Sequence, residues 1–135
     1  PDISSMVDSG TGLPPVDVPV VRGDEYCREH DIERVDFLKI DTEGFDWNVL
    51  AGFDTMLGPQ LRAIQFEYNE WNVVSRRLLA DFHELLEPKG YRIGKVHPNG
   101  VAFTPYSVAD ENWIGPACVA VHESAPDMIS AIAVR

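Results

Sequence analysis

Residues 35–50 read VDFLKIDTEGFDWNVL and contain the strongest fold signal of the sequence. It opens with a nearly continuous apolar run, typical of a buried strand, and that run stops at the polar residues 41–44. Over residues 47–57 apolar side chains then recur at helical spacing, and Asp46 is the predicted N-cap. The stretch therefore predicts a strand, a tight polar turn and a helix, in that order.

The same order repeats downstream. A second predicted strand, RAIQFE, covers residues 62–67, and residues 78–86 have the apolar spacing of a helix. Two consecutive strand-helix units favour a parallel sheet. Short apolar segments at 91–96 and 117–121 then predict an antiparallel pair that closes the sheet. The expected fold class is α/β.

The ends of the chain differ from this middle part. Residues 1–15 are rich in Ser, Gly and Pro and are interpreted as a linker or a truncated edge. The valine-rich residues 16–21 contain a proline and predict a short edge strand. We expect one domain over residues 16–123, followed by a tail over residues 124–135.

Composition excludes several classes of partner. Among 135 residues, 22 are acidic and 11 are basic, and the net charge of -11 opposes binding to a nucleic-acid backbone. No apolar run approaches the roughly 20 residues that span a bilayer. Cys27 and Cys118 form no metal-type pair and are predicted to be reduced thiols. We expect a soluble, cytoplasmic protein with no membrane partner.

Candidate catalytic residues lie where the two predicted parallel strands end. They are Asp41, Glu43 and Glu67. If the strands pair, Asp41 and Glu67 lie about 5 Å apart, where two carboxylates perturb each other's pKa and can deprotonate a hydroxyl. Two alternatives stay open: Asp41 and Glu43 cap the following helix, or the three carboxylates hold a divalent cation. Because no further carboxylate falls at suitable spacing, no metal is predicted.

Candidate substrate-binding residues surround these carboxylates. Lys39 interrupts an apolar strand and is expected to reach a carboxylate or the ligand cleft, unless the strand is an edge and the ammonium faces water. Asn69 and Trp71 follow Glu67, and an amide and an indole suit a polyhydroxylated or ring-shaped ligand. The alternative for Trp71 is that it packs on the domain.

The segment KIDTEG, its strand and the Leu-Ala-Gly at residues 50–52 closely resemble the signature of FkbM-type methyltransferases. The resemblance covers roughly residues 16–122 and is strongest over residues 35–67. It implies the second half of a seven-stranded, Rossmann-like class I methyltransferase sheet. It also implies an S-adenosylmethionine-dependent enzyme that methylates a hydroxyl of a sugar or secondary metabolite, a small-molecule acceptor.

The cofactor-binding residues are not identified by this resemblance. The family's glycine-rich loop should follow a first strand, whereas Gly10-Thr11-Gly12 follows no predicted strand. We therefore expect this chain to be the C-terminal half of the methyltransferase domain and to be inactive alone. Its exposed sheet edge is expected to self-associate or to be covered by residues 16–21. The alternative function is a non-catalytic binding or assembly module on the same fold.

Overall fold

The fold is that of a computed structural model, and it is described for Pro14 and residues 16–134. The helices are α1 (Gly23–Glu29), α2 (Asp46–Ala51), α3 (Asn72–Ser75), α4 (Leu79–Leu86) and α5 (Pro126–Ile132). The strands are β1 (Leu38–Lys39), β2 (Ala63–Glu67), β3 (Tyr91–His97), β4 (Gly100–Phe103) and β5 (Ala117–His122). Short 3-10 helices cover Glu87–Lys89 and Val108–Asp110. None of the helices described here is long and apolar enough to cross a membrane.

These strands form one sheet in the order β1-β2-β5-β3-β4. β1 and β2 are parallel, and β5 is antiparallel to both of its neighbours, β2 and β3. The parallel pair and the antiparallel closing strands confirm the expected α/β class. The turn at Asn99 leads into β4, a strand that the sequence analysis missed, because four residues are too few to show an alternating pattern.

Apolar side chains cover both faces of this sheet. Successive residues of β2 point to opposite faces, so Ile64 and Phe66 join the larger core cluster, while Ala63 joins a second one. On the larger side Phe66 stacks on Phe82 of α4 with ring centroids 4.5 Å apart. On the other side α5 packs against β5, so the predicted tail contributes a helix to the domain.

The first strand is shorter and more exposed than its apolar sequence predicts. Only Leu38 and Lys39 pair continuously with β2, and Val35 makes an isolated bridge to Leu61. Phe37 lies between them and is 52% exposed. Among the residues described, β1 has no neighbour on its outer side. The expectation of a buried strand is therefore wrong for this segment, and self-association through the edge stays a prediction.

Two further expectations are wrong. Residues 16–21 form no strand, and their valines are exposed, so this segment does not cover β1. Their single proline, Pro19, and the lack of a pairing partner among the described residues explain why β-branched residues alone did not produce a strand. The helix predicted over residues 47–57 ends at Ala51 and continues as turns. Gly10-Thr11-Gly12 and most of the predicted linker lie outside the described residues.

A buried carboxylate joins α1 to the segment after α2. Asp24 is 7% exposed, binds the Arg22 guanidinium at 2.8 Å and accepts hydrogen bonds from Thr55. The hydrogen bond from Arg22 is the main reason why the pKa of Asp24 falls to about 2. Its ionised form therefore stabilises the fold.

This lowered pKa predicts an acid-sensitive contribution to stability. Because the folded pKa of Asp24 lies below its ordinary 3.8, the contribution is complete above about pH 4 and is lost as pH falls toward 2. We expect Asp24→Asn to lower the free energy of unfolding by about 1 to 2 kcal/mol at pH 7 and to flatten its decline below pH 4. Urea unfolding between pH 2 and 7 measures both effects. A variant curve parallel to the wild type would contradict this prediction.

Candidate active site

The parallel register of β1 and β2 brings the predicted carboxylates to one edge of the sheet. Leu38 lies opposite Ile64, and the Ile40 N–H donates to the Gln65 carbonyl at 2.8 Å. Continuing this register places Asp41 beside Glu67, at the carboxyl ends of both strands. In open α/β sheets this edge is the usual place for a ligand.

The turn after Asp41 has an uncommon backbone. Glu43 has a φ of 51° and Gly44 a φ of 92°, so two consecutive residues are left-handed. A Cβ added to Gly44 would lie 2.4 Å from the Trp71 carbonyl oxygen. Glycine is therefore required here for two reasons, its left-handed conformation and its close contact with the loop that contains Trp71. This contact holds that loop against the turn.

Asp46 holds the turn to the second strand, a role that the sequence analysis missed. It is 1% exposed, and its Oδ1 accepts hydrogen bonds from the Thr42 backbone N–H at 2.9 Å and the Thr42 hydroxyl at 2.5 Å. Its Oδ2 accepts from the Glu67 backbone N–H at 2.7 Å. The predicted N-cap role is wrong, because Phe45 occupies that position and Asp46 points across to β2.

Lys39 and Asp41 form an ion pair with Nζ and Oδ2 2.6 Å apart. Both side chains are about half exposed, at 52% and 47%, so Lys39 lies on an edge strand and also reaches a carboxylate. The hydrogen bond to Asp41 is the main reason why the pKa of Lys39 is raised. Lys39 therefore stays charged and partly neutralises Asp41.

Glu67 is the carboxyl group of this site whose pKa is raised. Burial is the largest cause, and the charge of Asp41 adds to it. A hydrogen bond from Asn69 Nδ2 at 3.3 Å opposes the shift by stabilising the ionised form. A carboxylate with a raised pKa is a stronger proton acceptor than an ordinary glutamate.

The loop after Glu67 is ordered by its own amides. Asn69 Oδ1 accepts from the Trp71 N–H at 3.0 Å, and the Asn69 N–H donates to Asn72 Oδ1 at 3.1 Å. Asn69 thus fixes both Glu67 and the turn, whereas the Trp71 backbone packs on Gly44. The structure brings all the predicted site residues to this edge, and their roles in substrate binding and catalysis stay predictions.

The side chains at this edge form neither a metal site nor a complete cofactor site within the described residues. Within residues 16–134 no group of three or more His, Cys, Asp or Glu side chains is arranged to hold a metal ion. In the same residues no strand runs through a glycine-rich loop into a helix, the arrangement that cradles a nucleotide-like ligand. The described residues therefore do not fit S-adenosylmethionine as a complete binding site.

Together, the sheet and the site define a mixed α/β protein with a carboxylate cluster at the carboxyl ends of two parallel strands. The sequence model of the methyltransferase FkbM domain matches residues 4–93, more than half of the chain, including the turn and Glu67. This chain belongs to the FkbM methyltransferase family, which associates it with methyl transfer. Comparison with curated proteins and with solved structures found no match.

Proposed function

We propose that this chain is the acceptor-side half of an S-adenosylmethionine-dependent O-methyltransferase that acts on a hydroxyl of a small molecule, such as a sugar or secondary metabolite. The observation that carries the proposal is the placement of Glu67 beside Asp41 at the carboxyl ends of two parallel strands in a methyltransferase family. Burial and the charge of Asp41 raise the pKa of Glu67 there. Parallel strands followed by antiparallel closing strands support the second half of a class I methyltransferase sheet.

In this proposal Glu67 takes the proton of the acceptor hydroxyl as the oxygen becomes a nucleophile. Asp41 raises the proton affinity of Glu67, and Lys39 limits the repulsion by pairing with Asp41. Asn69 keeps the Glu67 carboxylate in one orientation. The cofactor supplies the methyl group when it is bound, and we place its nucleotide contacts outside the described residues.

The test is methyl transfer by the full-length protein that contains this chain. We expect Glu67→Gln to lower turnover about 100-fold while binding of S-adenosylmethionine, measured by calorimetry, stays unchanged. Glutamine keeps the size of the side chain and can still accept from Asn69, so the loop should stay folded. In the wild type, the acidic limb of the pH profile should lie above the ordinary pKa of a glutamate, because the pKa of Glu67 is raised.

Glu70→Gln is the matched control. Glu70 is an exposed acidic side chain of the same loop and makes no side-chain hydrogen bond within the described residues. Its substitution changes the charge equally and should leave turnover within a factor of about two. Equal losses in both variants, or full turnover by Glu67→Gln, would count against Glu67 as the base.

A further inference from the structure

A cavity of about 250 Å³ opens beside the loop that carries the proposed base. Its lining includes Tyr68, Asn72, Arg76, Arg77 and Trp113. The space suits part of a small molecule, and it combines an aromatic wall with cationic and amide donors. None of these lining residues has a role in the site described above except Asn72, which orders the loop.

Two adjacent arginines of this cavity have no acidic partner. No carboxylate of the described residues lies within 4 Å of Arg76 or Arg77, although the chain is strongly acidic. Arg77 stacks on Trp47, with Cζ 3.5 Å from the ring centroid. Because the N–H donors of a guanidinium lie in its plane, stacking orients this group and leaves its edge able to bind an oxyanion.

A buried amide of the same cavity also lacks a partner. Asn72 is 2% exposed, and its Nδ2 makes no hydrogen bond within the described residues. The amide orientation is fixed, since Oδ1 already accepts from the Asn69 N–H at 3.1 Å. A buried donor without an acceptor costs about 1 to 3 kcal/mol, a cost that an oxygen atom placed against Nδ2 would remove.

Hydrogen bonds connect this cavity to the proposed base. Asn72 holds the backbone of Asn69, and the Asn69 side chain donates to Glu67. The cavity and the base therefore share the short loop over residues 67–72, which these hydrogen bonds already hold in one arrangement.

We propose that this cavity binds the anionic group of the methyl acceptor, a carboxylate or phosphate on a hydroxylated compound. Arg76 and Arg77 bind the oxyanion, Asn72 donates to one of its oxygens, and Trp113 packs on the ring or chain that carries it. The inference rests on the proposed function and narrows its substrate class from hydroxylated small molecules in general to acidic ones.

Calorimetric titration of the protein with D-glucuronate, D-glucose 6-phosphate and D-glucose tests this inference. We expect both anions to bind at least 10-fold more tightly than glucose, with affinity that falls as salt rises. The preferred anion then distinguishes carboxylate from phosphate. Arg76→Asn should weaken anion binding at least 10-fold, because asparagine lacks the guanidinium and tolerates the left-handed φ of 56° at this position.

Arg28→Asn is the control, since Arg28 is an exposed arginine of α1 that does not line this cavity and has no ion pair within residues 16–134. Equal binding of glucose, or equal weakening by the Arg28 and Arg76 variants, would overturn the proposal. The titration needs neither cofactor nor turnover. Anion binding that depends on Arg76, with turnover insensitive to Glu67, would therefore overturn only the proposed base.

Discussion

Asp46→Asn is expected to lower the free energy of unfolding by about 3 to 5 kcal/mol, because breaking a buried, charge-assisted network leaves its donors without acceptors. Asp46 accepts three hydrogen bonds, two from Thr42 and one from the Glu67 backbone N–H. Asparagine has the same shape, but its Nδ2 is a hydrogen-bond donor. It would face one of the N–H or O–H groups that now donate to Asp46, so that hydrogen bond would be lost. Urea unfolding with linear extrapolation measures the loss.

Asp54→Asn is the matched control for this variant. Asp54 pairs with Lys89 at 2.9 Å, and its side chain is 57% exposed, so the pair is an ordinary surface ion pair. Its removal should cost less than about 1 kcal/mol. Similar losses in both variants would show that Asp46 does not join the turn to β2 as its contacts indicate.

Gly44→Ala is expected to lower the free energy of unfolding by about 2 to 5 kcal/mol. A left-handed backbone costs about 1 to 2 kcal/mol for a residue with a Cβ, and overpacking adds about 1 to 3 kcal/mol. The φ of Gly44 is 92°, and the new methyl group would lie 2.4 Å from the Trp71 carbonyl oxygen and 2.9 Å from the Trp71 Cβ. The loop that holds Glu67 must therefore move, so turnover of the full-length protein should fall as well.

Gly115→Ala separates the two causes. Gly115 also has a positive φ, 63°, but the nearest atom to its added Cβ lies 4.0 Å away. This control therefore carries the conformational cost alone, about 1 to 2 kcal/mol, and leaves turnover unchanged. If Gly44→Ala were no more destabilising than Gly115→Ala, close contact with Trp71 would not be what requires glycine.

The order of strands and helices could be predicted from the sequence, because it depends on residues that are close together along the chain. Apolar periodicity predicted β2, α4, β3 and β5, and the polar residues after two strands marked the edge that holds the candidate site. The motif over residues 35–50 also indicated the family that its sequence model confirmed. These features do not depend on which strands pair or which segments pack together.

Contacts between distant segments were decided only by the tertiary structure. Asp46 looked like a helix cap, because a carboxylate at the start of a helix normally binds the N–H groups of its own first turn. Its actual partner is the backbone of Glu67, which the parallel register brings next to it. The strand predicted at residues 16–21 does not form for the complementary reason, because no segment within residues 16–134 pairs with it.

Local sequence patterns thus predicted the strand-turn-helix order, the family and the carboxylates of the candidate site. Tertiary structure decided that β1 is a short edge, that burial and Asp41 raise the pKa of Glu67, and that Arg76 and Arg77 line a cavity with Asn72. The cause is the separation along the chain over which each effect acts. Periodicity and turn chemistry act over a few residues, whereas burial, ion pairing and cavities depend on which distant segments pack together.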